Sequence, residues 1–174
     1  MKHNQNQRLV FIALLVAQAV VISLIEQTIP TPFTIAPGAK LGLANIITCV
    51  ALVKLPAKDT ILIVIMRLVL ASFLGGMLSV LLFSAVGTTL SFIGMYVVYK
   101  LGSPYVSMIG ISATGATLHN LGQLLMASYV AGTWTVLVYL PVLTFAGLLS
   151  GFATGVAANY LLAYLNKVPF WRSM

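Results

Sequence analysis

The amino-acid sequence predicts an all-α integral membrane bundle of about six transmembrane helices, built as a single domain over residues 1–174. Apolar residues make up 60% of the chain and charged residues only 6%, proportions that a water-exposed surface cannot supply. The mean hydropathy is +1.07, and apolar runs of membrane-spanning length recur between proline, glycine and charged breaks.

The first run, residues 9–25, lies between Arg8 and Glu26 and is just long enough to span. Lys2, Arg8 and the small-residue step Ala17-Gln18-Ala19 imitate a signal peptide, but the run continues past that step, which argues for a retained helix. Residues 27–40 hold Pro30, Pro32, Pro37 and Gly38, so a loop is expected there. Residues 41–53 form a shorter run, rising only about 20 Å as a helix, less than the hydrocarbon thickness. A short helix is expected, its loop folding back toward the membrane and its lysines snorkelling at the far end.

Pro56 and Asp59-Thr60 read as a stop followed by a new helix start, which carries Arg67 into the membrane. Residues 68–99 contain no charge and are too long for one span, so a break is expected near residues 84–87. Gly102-Ser103-Pro104 is the next turn, and the stretch up to Asn166 holds two further helices separated near residues 132–135. One cysteine, Cys49, excludes an intramolecular disulfide and reads as a small packing residue.

Cations give the orientation, because cytoplasmic loops retain lysine and arginine. With the N-terminus inside, Lys2, Arg8, Lys54, Lys58, Lys100, Lys167 and Arg172 are all cytoplasmic, and Lys40 alone lies in an outer loop. The expectation is a multi-pass protein of the cytoplasmic membrane with both termini inside. The net charge of +7 is thereby explained by topology, and nucleic acid, which needs a dense basic face, is not an expected partner.

Ionisable and strongly polar groups inside spans are where function is sought. Arg67 lies about 10 Å into its helix, counted from Thr60; the plainer account is snorkelling to the surface. Glu26 ends the first helix, where an interface-facing carboxylate is the plainer account. His119, Asn120 and Gln123 share one helix, and at about 100° per residue His119 and Gln123 are about 40° apart. Asn45 falls in the short second helix, about 140° around from Lys40. For the four groups on helices two and five, an interhelical hydrogen bond that only stabilises the bundle competes with a binding role. Taken together, Glu26, Lys40, Asn45, Arg67, His119, Asn120 and Gln123 are the candidate substrate-binding residues. They outline a polar pocket opening outward, with one excess positive charge, suited to a small anionic or zwitterionic molecule with an apolar body.

Other positions look dedicated to helix contacts. Gly147, Gly151 and Gly155 form a small-residue seam suited to internal packing. Ala13 and Ala17 form a second small pair, pointing away from Gln18 and Glu26, and are the candidate partner-docking face.

The run Ala36-Pro37-Gly38-Ala39-Lys40-Leu41-Gly42-Leu43-Ala44-Asn45, the run from Gly115 through His119 and Asn120 to Gln123, and the Arg67 helix resemble the Gx transporter family, also labelled heptaprenyl diphosphate synthase component I. That family is in turn similar to the substrate-binding S components of energy-coupling factor transporters. The resemblance implies a six-helix fold whose first helix docks a transmembrane coupling subunit through alanines such as Ala13 and Ala17.

Chemistry weighs against catalysis by this chain. A trans-prenyl diphosphate synthase needs clustered aspartates to hold magnesium against diphosphate, and this chain has one aspartate, Asp59, and one glutamate, Glu26. Two histidines, His3 and His119, leave too few ligands for a metal site, and no G-x-x-x-x-G-K-[ST] loop is present. No cofactor is expected. Three functions remain: a substrate-binding subunit for uptake, driven by a coupling subunit and ATPases; an accessory subunit of isoprenoid or quinone metabolism working with a prenyl synthase; and a membrane partner of a flavoprotein, holding a quinone at His119 and Gln123. Membrane lipid and a small-molecule substrate are expected partners in each.

Overall fold

The computed structural model describes residues 2–28, 42–76, 78–102 and 105–168. In chain order the helices are α1 (Lys2–Thr28), α2 (Asn45–Lys54), α3 (Ala57–Leu74), α4 (Leu78–Gly102), α5 (Met108–Ala131) and α6 (Leu140–Lys167), with a 3-10 segment, Trp134–Tyr139, leading into α6. The proline-rich loop, including Lys40, lies outside the described residues.

The all-α bundle agrees with the sequence, but six membrane-spanning helices do not. Among the described residues three helices are long and apolar enough to cross a membrane: Asn6–Thr28, Leu81–Gly102 and Trp134–Lys167. Each of the others fails for a physical reason. α2 has 10 residues and rises about 15 Å. α3 has 18 residues but carries Lys58, Asp59 and Arg67. α5 is long enough at 24 residues, yet Ser112, His119, Asn120 and Gln123 lower its hydropathy, and all four are buried. Helix count and span count differ because α5 turns its polar groups inward, against neighbouring helices. Three long apolar helices make the chain a multi-pass membrane protein.

Two boundaries also move. The uncharged stretch breaks at Gly75 and Gly76 rather than at residues 84–87, and α4 runs unbroken through Ser84 and Gly87. Gly76 has φ 68°, a left-handed value that glycine takes without steric penalty, so the chain turns there. α3 starts at Ala57, ahead of Thr60, because Pro56 with its fixed φ already serves as the extended residue before the first turn.

α5 is packed between α4 and α6 through glycines. A Cβ added at Gly122 would stand 2.7 Å from the Gly87 Cα, so α4 and α5 meet backbone to backbone. On the other side Gly147, Gly151 and Gly155 all face α5, and a Cβ on Gly155 would lie 2.5 Å from the Ile109 Cα. The seam read from the sequence is thus an internal contact. Phe11, Leu15 and Ala19 of α1 join Ile47, Val50 and Ala51 of α2, Ile63 of α3 and Leu162 of α6 in the main apolar core.

Polar side chains tie one end of the bundle. Arg8 pairs with Asp59 at 2.5 Å, joining α1 to α3, and Lys54 donates to Asn166 at 2.6 Å, joining α2 to α6. Exposed Trp134 and Tyr129 mark the opposite end of α5 and α6, the placement of interfacial aromatics in a bilayer. Between the ends, Val21, Ile65, Val69, Leu149 and Phe152 are exposed, as expected where lipid is the solvent.

Candidate functional site

The site begins at the end of α1. Glu26 follows Ser23 by three positions, so both face the same side of the helix, and both are buried. The Glu26 carboxylate accepts from the backbone amide of Gly42 and, at 3.2 Å, from that of Leu43. These amides precede α2, whose N-cap position is Ala44 and has no side-chain acceptor. Glu26 therefore supplies from another helix the negative charge that a helix start favours. Gly42 has φ 80°, and a Cβ there would meet the Asn45 Nδ2 at 3.1 Å, so both backbone and space call for glycine.

Arg67 enters from the middle of α3 and is 6% exposed, so it does not snorkel to the surface. It donates to the Thr88 hydroxyl of α4 at 3.2 Å and lies within the attractive field of Glu26. A buried cation with an anion nearby is tolerated, whereas removal of either partner leaves an uncompensated charge.

These groups surround a cavity of about 20 Å³, bordered also by Ser72, Ser84 and His119. That volume is roughly one water molecule. Asn45, 2% exposed, and Ser84, 3% exposed, both border it. The Asn45 Nδ2 and Ser84 Oγ have no hydrogen-bond partner among the described residues. Buried polar atoms are ordinarily paired, so two orphaned atoms beside one polar cavity indicate that something else satisfies them.

Four residues read from the sequence thus converge here: Glu26, Asn45, Arg67 and His119. Lys40 lies outside the described residues. Asn120 is directed elsewhere, donating to the Leu143 carbonyl of α6 at 2.8 Å. Gln123 is buried one turn beyond His119, against the close approach at Gly87, and does not border the cavity. The hydroxyls of Ser23, Ser84 and Thr88 escaped notice, although Ser84 and Thr88 stand four apart in an otherwise apolar run, a one-face spacing that signals an inward stripe. Ala13 and Ala17 are exposed, within an apolar groove of about 580 Å³ between α1 and α3 that Leu62, Met66 and Leu70 wall on the α3 side.

A helical multi-pass membrane protein with a small internal polar cavity is the class that fold and site define. Residues 15–161 match the family described as heptaprenyl diphosphate synthase component I, and the chain belongs to it. No curated protein and no solved structure matches the chain, so the further likeness to transporter S components gains no support there. The chain's two carboxylates are engaged in different places, Asp59 with Arg8 and Glu26 at the start of α2, and cannot form the clustered set that magnesium diphosphate needs.

Proposed function

We propose that this chain is a non-catalytic membrane component of isoprenoid metabolism, which receives the anionic head of an amphipathic prenyl molecule at the Arg67 cavity. The observation that carries this is a concentration of donors at one space inside an apolar bundle: the Arg67 guanidinium, and the Asn45 Nδ2 and Ser84 Oγ, which have no partner among the described residues. Phosphate oxygens are strong acceptors for such groups, and a guanidinium can hold them in a fork. The family description supplies the ligand class. Catalysis then belongs to a soluble prenyl synthase, and the cation-rich end of the bundle faces the cytoplasm where that partner would dock.

The test is binding of a prenyl diphosphate and of the matching prenyl alcohol to the purified protein in nanodiscs. Preference for the diphosphate, reduced at least tenfold in Arg67→Ala while the alcohol is unaffected, is the expected result. Equal binding of both molecules to the native protein refutes the head-group assignment.

A second function, substrate binding for uptake, is favoured by one observation: the apolar groove containing Ala13 and Ala17 could seat a coupling subunit's helix. Copurification separates the two, since a prenyl synthase supports the first and ATPases the second.

A further inference from the structure

We infer that Glu26 is an internal plug, its carboxylate filling the oxyanion position that the ligand head takes in the bound form. The inference rests on the head-group assignment above and deepens it. The cavity, at about 20 Å³, has room for about one water and none for a phosphate group. The best anion position beside it is already taken: the amides of Gly42 and Leu43 point at the Glu26 carboxylate, which also lies in the field of Arg67. Consecutive backbone amides before a helix, together with a guanidinium, form the combination that binds phosphate elsewhere in proteins.

An independent observation shows that Glu26 does not complete the site. The Asn45 Nδ2 remains without a partner among the described residues although Asn45 is 2% exposed. Both amides converge on one carboxylate oxygen, Oε1, and the Asn45 Nδ2 is reached by neither oxygen of Glu26; a phosphate, with three oxygens, reaches a further donor. Glu26 stands on the last turn of α1, where a rotamer change can withdraw the carboxylate without unfolding the bundle. Withdrawal exchanges one anion for another beside Arg67, so the buried cation is never left alone.

Glu26→Asp tests this, because it keeps the charge while shortening the reach to the amides, and Glu26→Gln removes the charge at constant shape. Prenyl diphosphate, prenyl alcohol and inorganic diphosphate are titrated into each protein in nanodiscs. The plug predicts that prenyl diphosphate binds about tenfold tighter to both variants, with alcohol binding unchanged. Tightening in Glu26→Gln alone means a simple charge effect and overturns the plug. In the native protein, where folding is not in question, the backbone NMR signals of Gly42 and Leu43 should move on adding prenyl diphosphate and stay still with the alcohol. Diphosphate preference without movement of those signals rejects the plug and leaves the head-group site standing; absence of diphosphate preference removes both. Tightening for inorganic diphosphate as well locates recognition in the head alone, and tightening confined to the prenyl molecule shows that the chain also contributes; either accords with the plug.

Discussion

Arg67 on α3 donates to the hydroxyl of Thr88 on α4 at 3.2 Å, and both side chains are buried. The contact joins the polar third helix to a membrane-spanning one, so it is both a support for the fold and a wall of the cavity. Arg67→Met should lower thermal stability strongly, on the order of 3–5 kcal/mol, because Glu26 is left buried without its cation. Thr88→Val should remove about 1–3 kcal/mol, since the guanidinium keeps Glu26 but loses an acceptor. Combining Arg67→Met with Glu26→Gln should be less damaging than the sum of the two, a non-additivity that thermal unfolding of the purified single and double variants would measure.

The approach of Gly87 and Gly122 sets a second prediction. Gly122→Ala places a methyl 2.7 Å from the Gly87 Cα, and only movement of two backbones can relieve it. A loss of roughly 1–3 kcal/mol is expected. At Gly132 a Cβ meets nothing within 4 Å, so Gly132→Ala should suffer only from its φ of 64°, about 1–2 kcal/mol. Melting temperatures of the two variants in one detergent would rank them; a smaller effect at Gly122 would contradict the tight α4–α5 contact.

Ala13 and Ala17 make the docking hypothesis sharp. Both are exposed, so Ala13→Leu with Ala17→Leu fills the groove without disturbing the core of Phe11, Leu15 and Ala19. The expected outcome is an unchanged melting temperature and loss of a partner that copurifies with the native chain. Undiminished capture would show that the groove serves lipid alone.

Orientation can be read with the chain's own cysteine removed. Cys49 is fully buried, so Cys49→Ala provides a silent background. In it, a cysteine at position 100 should be protected from an impermeant reagent on intact cells, and one at position 40 should react. The reverse pattern would invert the topology proposed from the cations.

Membrane residence, the all-helical class and the polar groups Glu26, Asn45, Arg67, His119, Asn120 and Gln123 were legible without coordinates, because each is a local property: hydropathy, helix-breaking residues and spacing along one helix; the buried hydroxyls of Ser23, Ser84 and Thr88 were not. The seam of Gly147, Gly151 and Gly155 was legible for the same reason, small residues repeating on one face. Span number was not. A count of apolar runs assumes that each helix meets lipid, whereas His119, Asn120 and Gln123 are hidden by neighbours and need no apolar run around them. The break at Gly75 and Gly76 was likewise obscured, since Ser84 and Gly87 look as disruptive in sequence but are absorbed into α4, Ser84 beside the cavity and Gly87 against α5.

Sequence by itself therefore determined that this protein lives in a membrane and that Glu26, Asn45, Arg67 and His119 require partners, since burial of such groups in an apolar chain is penalised wherever they fall. Tertiary structure alone decided which partners they have. Asn120 and His119 are adjacent in sequence, yet one donates to a carbonyl on α6 and the other borders the cavity. Glu26 and Gly42 are sixteen positions apart in a proline-rich part of the sequence, and the carboxylate nonetheless meets the amides that precede α2. Hydrogen bonds reach only about 3 Å, so such pairings are settled by how helices cross and not by any pattern along the chain.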